Sequence, residues 1–235
     1  KNFSVYGLPR NVQFCKLCVN SNQKPNPVVE FKNNDNQKSG TGFDDEGICN
    51  ACNYHKIKKK INWEKREKEL LKVLEIYRGK GEYDCVVSGS GGKDSCFASH
   101  VLKHKYGMSP LTVTWSPILY TEYGLRNFNS WIKSDNLTNI SSKRDEFTMK
   151  YLTKLAILNL MHPFQTFMLG QKIFASKMAI KYKIPLVFFG ENEAEHGNPI
   201  ADNKKSMRDK SYFTYKNFDK IYLGGVKIKD LINKH

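Results

Sequence analysis

Short apolar runs alternate with amphipathic stretches along most of the chain. Tyr83–Val87 and Leu111–Trp115 have the apolar, β-branched character of buried strands, and a weaker strand is expected near Leu137–Ser141. Ile184–Phe189 has the same character and predicts a fourth strand. Strands separated by helical stretches of this kind indicate an α/β fold, in which helices cover both faces of a parallel sheet.

The segments between these runs show helical periodicity. Asn62 can cap a helix that ends before Gly79, and another helix follows the first strand directly. A further helix is expected over about residues 124–133. The pattern from Asp145 to Lys183 is also helical, and Pro163 must interrupt it.

The beginning of the chain has a different character. Residues 1–47 are polar and almost lack helical periodicity, so they cannot form a core of their own. Two C-x-x-C pairs, separated by 30 residues, offer a way to hold this segment together: Cys15, Cys18, Cys49 and Cys52. Four thiolates in paired knuckles form a tetrahedral zinc set, which can supply on the order of 10 kcal/mol toward folding. Disulfides and an iron–sulfur cluster are the alternatives.

These patterns predict three parts of the chain. We expect a small zinc-ribbon-like module over residues 1–61, a linking helix over 62–81 and the α/β domain over 82–235. The gap between the knuckles exceeds the ~15–20 residues of a usual ribbon, so Val28–Phe31 is expected to form a hairpin strand there. The chain begins without methionine and ends in a helix-like stretch, so we expect it to be part of a longer protein.

A glycine-rich turn joins the first strand to its helix and reads Ser88-Gly-Ser-Gly-Gly-Lys-Asp-Ser95. Glycines let several backbone N–H groups approach a phosphate, and a helix N-terminus favours negative charge. A Walker A loop would need glycine at Val87, and a Rossmann fingerprint would need a small residue at Asp94. Asp94 would repel a triphosphate unless a divalent cation lay between them, so the turn predicts MgATP. The alternative is a glycine-rich loop that only joins the strand to the helix and binds no ligand.

The hexapeptide Ser90–Ser95 resembles the SGGxDS signature of the PP-loop ATP pyrophosphatases, which cleave ATP between the α- and β-phosphates. The ordered combination of further motifs is more specific: the C-x-x-C pairs, Val113-Thr-Trp115, Gly124-Leu-Arg-Asn127 and the run Gly190–Asn198. Together they resemble the N-acetyl sugar amidotransferases of that superfamily over nearly the whole chain. The resemblance implies a Rossmann-like sheet of the adenine nucleotide α-hydrolase type. Family members are longer, so a C-terminal portion is expected to be absent.

The resemblance and the loop chemistry together predict the site residues. ATP is expected to contact Ser88, Gly89, Ser90, Gly91, Gly92, Lys93, Asp94, Ser95 and Thr114. Catalytic roles are expected for Lys93, for Asp94, which would face Mg²⁺, and for Glu191. The acceptor is expected to contact Gly124, Asn127, Glu191, Asn192 and Glu195, the last three because polar residues after a parallel strand lie where α/β folds bind ligands. A polar surface loop is the alternative for residues 190–198.

The implied reaction converts the amide oxygen of an N-acetyl sugar into an adenylate, with release of pyrophosphate. Ammonia from a separate glutaminase subunit then replaces AMP and leaves an acetamidino group, as in pseudaminic acid or O-antigen biosynthesis.

The alternative is a PP-loop tRNA-modifying enzyme of the thiolation type, which would place cysteines at the ATP site. Cys85 and Cys96 fall in the predicted strand and helix, so both are expected in the core. A zinc-ribbon binding module with a degenerate loop is a third possibility, against which the intact loop argues.

The charge of the chain bears on its partners. A formal net charge of +15 raises nucleic acid as a partner, but the excess is mostly lysine and accompanies asparagine throughout, which indicates compositional bias. The densest block, His55–Lys60, is either a nucleic-acid contact or a solvated face. Because no apolar run approaches the ~18 residues of a membrane span and no leader is visible, we expect a cytoplasmic protein without a membrane partner.

Overall fold

The computed structural model describes residues 8–25, 40–191 and 220–232. The helices in these ranges are α1 Asn50–Lys58, α2 Trp63–Tyr77, α3 Lys93–His100, α4 Glu122–Ser134, α5 Glu146–Leu160, α6 Gln165–Lys181 and α7 Ile228–Ile232. The strands are β1 Cys85–Ser88, β2 Pro110–Thr114, β3 Asn139–Ser141, β4 Val187–Phe189, β5 Tyr222–Leu223 and β6 Val226–Lys227. A π-helical turn, Val101–Lys105, continues directly from α3.

The chain divides into two compact units. One, the sheet unit, comprises Asn62–Lys154 and Pro163–Glu191. The other, the cysteine unit, comprises the described residues within Lys1–Ile61, Leu155–His162 and Asn192–His235. No helix in residues 8–25, 40–191 or 220–232 combines the length and the apolar character that a membrane span requires.

Strands β1 to β4 form one parallel sheet in the order β3-β2-β1-β4. Val86 in β1 lies opposite Leu111 of β2 and Val187 of β4, and Thr112 of β2 lies opposite Asn139. Because the strands are parallel, their carboxyl ends meet at one edge of the sheet, which we call the carboxyl edge. The predicted α/β class with a parallel sheet is therefore confirmed.

Each face of the sheet has its own core, because successive residues of a strand point to opposite sides. Val86 belongs to a buried cluster that includes residues of α6. Cys85 and Val87 belong to a second cluster, with Leu74 of α2 and Leu102 of the π-helical turn. Burial of one such aliphatic side chain contributes roughly 1.5–3 kcal/mol. Helices thus flank both faces, as the apolar pattern predicts.

Polar side chains join β2 to the edge strand β3. Asn139 Nδ2 donates to Thr112 Oγ1 and to Thr114 Oγ1, each at 3.0 Å. Thr112 Oγ1 in turn donates to the Thr138 carbonyl oxygen at 2.7 Å. Both threonines are fully buried, so these bonds satisfy hydroxyl groups that would otherwise be costly to bury.

Several predicted boundaries agree with the structure. Asn62 caps α2, since its Oδ1 accepts the Lys65 N–H at 2.9 Å, and Gly79 follows the helix with φ +69°. The long helical pattern is interrupted around Pro163, because α5 ends at Leu160 and α6 begins at Gln165.

Other boundaries differ from the prediction. The helix expected over 124–133 begins at Glu122, because Thr121 Oγ1 accepts the Gly124 N–H at 3.0 Å and caps it there. Trp115 lies beyond the end of β2, and β4 is only three residues long. A small antiparallel hairpin, β5–β6, was not predicted, and Asn159 Nδ2 donates to its Gly224 carbonyl oxygen at 2.8 Å.

Candidate nucleotide site and cysteine cluster

The glycine-rich turn lies at the carboxyl edge of the sheet, at the end of the central strand β1. Residues 89–92 connect Ser88 to the first residue of α3, and the Gly89 N–H donates to the Val113 carbonyl oxygen at 3.0 Å. Gly92 is the N-cap of α3, where no side chain caps the helix. An anion at this helix N-terminus would face the positive end of the helix dipole.

Two glycines of the turn are required by packing. Gly91 has φ +85°, and a Cβ there would lie 2.6 Å from Phe128 Cα in α4. A Cβ at Gly89 would lie 2.5 Å from Ser95 Cβ and 2.7 Å from the Trp131 ring. Gly92 differs, since its φ is −74° and a Cβ there would meet nothing within 4 Å. The fold itself therefore does not require glycine at position 92.

The polar side chains of the turn differ in their exposure to solvent. Ser90 is exposed, and Lys93 Nζ contacts Asp94 Oδ1 at 2.7 Å with both side chains largely exposed. Ser95 is buried, and its hydroxyl donates to the Gly92 carbonyl oxygen at 3.0 Å. Ser90, Lys93 and Asp94 are thus accessible at the carboxyl edge, whereas the Ser95 hydroxyl stabilises the first turn of α3.

The end of β4 lies directly against the start of α3. A Cβ at Gly190 would lie 2.8 Å from the Asp94 carbonyl carbon and 3.0 Å from the Ser95 nitrogen. Glu191 follows at once and is exposed, so the structure brings this predicted site residue close to the loop. Asn192 and Glu195 lie outside the described residues.

The remaining predicted contacts are not equally close to the turn. The Asn127 backbone carbon would lie 3.1 Å from a Cβ at Gly91, so α4 presents this residue beside the loop. Gly124 lies in the first turn of α4 and uses its N–H for the cap. Thr114 is fully buried within the sheet and accepts a hydrogen bond from Asn139, so its side chain serves the strand pairing.

Sequence reasoning missed Arg144, which follows β3 at the carboxyl edge. Its Nη2 donates to the Pro117 carbonyl oxygen at 2.6 Å, and its guanidinium lies 5.5 Å from the Trp115 ring centroid. Burial lowers the pKa of Arg144. Among the described residues, Arg144 Nη1 and Trp115 Nε1 have no hydrogen-bond partner. The signal that could have indicated this position is a basic residue just after a predicted strand.

The two cysteines outside the knuckles have different surroundings. Cys85 is fully buried in the core as predicted, and burial, followed by the charge of Asp84, raises the pKa of its thiol to about 12. Cys96 is only partly buried, so the prediction of a core position is wrong for this residue. It lines a groove of about 490 Å³ together with Gly91 and Asn127. Burial also raises the pKa of the Cys96 thiol.

The four knuckle cysteines come together in the cysteine unit. Their sulfur atoms all lie within 4.8 Å of one another, with 3.9 Å between Cys15 and Cys52 and 3.6 Å between Cys18 and Cys49. A zinc tetrahedron with Zn–S bonds of about 2.3 Å has sulfur atoms roughly 3.8 Å apart. The geometry therefore fits a metal ion such as zinc, as the spacing predicts.

Backbone groups support this cluster. Cys15 Sγ accepts N–H groups from Leu17 at 3.4 Å and from Cys49 at 3.3 Å, so the two knuckles share a hydrogen bond. Burial acts to raise the pKa of the Cys15 thiol, but these N–H donors lower it below its usual value. Such donors favour the thiolate form that metal binding requires.

A carboxylate shapes the second knuckle. Asp44 Oδ1 accepts the Ile48 N–H at 2.8 Å, and Oδ2 accepts Asn53 Nδ2 at 2.6 Å. These bonds connect the turn before Cys49 with helix α1.

The hairpin strand predicted at Val28–Phe31 lies outside the described residues.

Comparison with known proteins gives a distant relative but no matching family profile. No known family profile matches the chain. The uncharacterized protein MJ1599 of Methanocaldococcus jannaschii is 30% identical over 100 residues, which are 42% of this chain and 31% of that protein. The chain therefore covers less than a third of that relative, for which no activity is given.

Proposed function

We propose that the chain is an ATP-dependent, AMP-forming amidotransferase that acts on the amide of an N-acetyl sugar. The observation that carries this proposal is the turn Ser90–Ser95, which resembles the SGGxDS signature of the PP-loop and lies at the N-terminus of α3 on the carboxyl edge. Parallel α/β sheets bind their ligands at this edge.

Gly92 supports nucleotide binding. Packing accounts for Gly89 and Gly91, but the space beside Gly92 is open. A phosphate group over the N-terminus of α3 would occupy that space, and a side chain at this position would obstruct it. We assign the β- and γ-phosphates to this position, with N–H donors from Gly91 and Gly92 and a hydroxyl donor from Ser90.

Asp94 and Lys93 complete the phosphate site. Lys93 supplies positive charge, while Asp94 is an exposed carboxylate that suits Mg²⁺, which proteins usually hold by one or two carboxylates together with substrate phosphates. A bound Mg²⁺ would neutralise phosphate charge as pyrophosphate leaves. The cysteine cluster is assigned a structural Zn²⁺, which stabilises the fold.

The acceptor amide is assigned to the space beside Glu191. This carboxylate is exposed and follows Gly190, whose backbone adjoins Asp94. The amide oxygen would attack the α-phosphorus and pyrophosphate would leave, after which ammonia adds to the activated carbon and AMP departs. The protein would act mainly by positioning and by stabilising charge. A separate glutaminase subunit would supply ammonia, and the ATP-dependent reaction belongs in the cytoplasm.

A tRNA-modifying enzyme of the thiolation type is the second candidate. One observation favours it, since Cys96 lines the groove that begins at Gly91. The raised pKa of this thiol opposes the role of a nucleophile at neutral pH. The net charge of +15 suits RNA but does not locate a binding face.

The test measures pyrophosphate and AMP formation from ATP. Ammonium chloride replaces the glutaminase, and a panel of free and nucleotide-linked N-acetyl sugars is compared with tRNA. We expect turnover with at least one sugar, loss of turnover in Asp94→Asn, and normal turnover in the exposed control Asp45→Asn. Glu191→Ala should lose amidine formation and retain ATP binding.

Three results would contradict the proposal. Formation of ADP and phosphate would exclude the PP-loop reaction. The second candidate would be favoured if pyrophosphate were released with tRNA alone. That release should then depend on Cys96 and on the lysines Lys58, Lys59 and Lys60. Unchanged turnover in Asp94→Asn would remove this carboxylate from the site.

A further inference from the structure

Two histidines and one aspartate come together on the outer side of the sheet unit. His100 Nδ1 lies 3.1 Å from Asp135 Oδ2, and His104 Nε2 lies 3.1 Å from Asp135 Oδ1. The two imidazole rings have their centroids 4.5 Å apart. The donor atoms of all three side chains lie within 4.8 Å of one another.

The local helix geometry places the two histidines side by side. His100 is the last residue of α3, and His104 lies in the π-helical turn that follows. The Tyr106 N–H donates to the Val101 carbonyl oxygen at 3.1 Å, which is the wide spacing of a π-helix. Single π-helical turns inside longer helices often occur at functional sites.

A lysine holds Asp135 in position without occupying its carboxylate. Asp135 follows the last residue of α4. Lys103 Nζ donates to the backbone carbonyl oxygens of Asp135 and Asn136, which fastens the end of α4 to the π-helical turn. Lys103 does not contact the Asp135 carboxylate in these bonds, and Oδ2 and Oδ1 face His100 and His104.

We propose that His100, His104 and Asp135 bind a divalent transition metal ion, with Zn²⁺ as the best match. Two imidazoles and a carboxylate are a common three-ligand set for zinc, and they leave a coordination position for water or a substrate atom. Ligands at about 2.0–2.1 Å from zinc lie roughly 3.3–3.4 Å apart in a tetrahedron. The two His–Asp separations of 3.1 Å need only a small expansion, and the two histidine nitrogens lie within 4.8 Å of each other.

Exposure makes the site accessible to an ion. The side chains of His100 and His104 are 58% and 51% exposed, whereas that of Asp135 is 13% exposed. The carboxylate thus forms the floor of the site and the rings form its rim. Without metal, each neutral histidine can donate one hydrogen bond to Asp135, from Nδ1 of His100 and from Nε2 of His104. When these two nitrogens bind the metal, each neutral ring carries its proton on its other nitrogen.

The site borders the groove that begins at the glycine-rich turn. His100 and Asp135 line this groove of about 490 Å³, and Gly91 and Cys96 line it as well. An oxygen atom of a molecule bound in the groove is therefore the ligand expected at the open position of the metal. The metal site itself does not rest on the proposed nucleotide chemistry.

The test counts zinc in the purified chain after equilibration with micromolar Zn²⁺ at neutral pH and removal of free metal. We expect two equivalents, one at the cysteine cluster and one at the histidine site. His104→Ala and the nearly isosteric Asp135→Asn should each lose one equivalent and weaken the second calorimetric binding step by at least about tenfold. The exposed helical histidine of His55→Ala serves as the control and should keep both equivalents.

Proton and nitrogen NMR of the imidazoles provides a second measurement. Zn²⁺ should shift the signals of His100 and His104 together, and Asp135→Asn should abolish that response. Unchanged melting of Asp135→Asn would show that the variant is folded. Three results would overturn the proposal. The wild type could take up only one equivalent of zinc, His104→Ala could keep the second equivalent, or His55→Ala could lose it.

Discussion

Alanine substitutions at two neighbouring glycines should differ strongly in their effect on stability. Gly91→Ala introduces a Cβ 2.6 Å from Phe128 Cα at a position with φ +85°. Gly92→Ala introduces a Cβ with no atom within 4 Å, at a φ of −74°. The two changes have the same chemistry and differ only in backbone conformation and surroundings.

The expected magnitudes follow from these differences. A left-handed conformation costs a residue with a Cβ about 1–2 kcal/mol. Overpacking against backbone, which cannot rotate away, adds about 1–3 kcal/mol, so Gly91→Ala should lose roughly 2–5 kcal/mol. For Gly92→Ala, the smaller entropy of the unfolded chain contributes about 0.4–1 kcal/mol and offsets the poorer N-cap, so its stability should stay within about 0.5 kcal/mol of the wild type.

Urea unfolding followed by tryptophan fluorescence is the appropriate assay. The chain has three tryptophans, Trp63, Trp115 and Trp131, and all belong to the sheet unit, so the signal reports on that unit. ATP binding adds a second readout, because Gly92→Ala should weaken it while the fold is retained. Equal stability of the two variants, or greater loss in Gly92→Ala, would refute the steric account of the turn.

Two further predictions concern the cysteine cluster and a surface ion pair. Cys49→Ser should remove one zinc equivalent and accelerate amide exchange in residues 8–25, and unchanged zinc content would contradict the assigned site. Glu67 has a lowered pKa, first because Lys105 Nζ binds its carboxylate at 2.6 Å and then because the Tyr106 hydroxyl also donates to it. Its stabilising effect should therefore be present above the unfolded pKa of about 4.3 and be lost as the pH falls through the lower folded pKa. Thermal melting of wild type and Glu67→Gln across pH should converge in acid, and a difference that grows in acid would contradict this.

Local signals in the sequence were sufficient for much of the fold. The β-branched runs predicted four strands, and Asn62 and Pro163 marked helix boundaries that depend on neighbouring residues alone. The C-x-x-C spacing predicted the cysteine cluster because each pair forms a local knuckle. Capping by Thr121 was missed, although it too is a local effect.

Features that depend on distant parts of the chain were not predictable in this way. The Thr114 hydroxyl accepts a hydrogen bond from Asn139, a partner that only the sheet order brings near. The pair His100 and His104 is visible as a helical spacing, yet the third member, Asp135, comes from the end of another helix. The exposure of Cys96 likewise depends on how α4 packs beside the loop.

The hydrogen bonds of Asn139 have a consequence for strand register. β3 is a three-residue edge strand, so its backbone ladder alone is a weak determinant of alignment. The Asn139 amide bridges two threonines that lie two residues apart on the same face of β2. A slip of one residue would turn this amide toward the opposite, apolar face, where neither hydroxyl is within reach. Asn139 thus fixes the register of β3 against β2. It thereby also determines where the chain after β3, including Arg144, leaves the sheet.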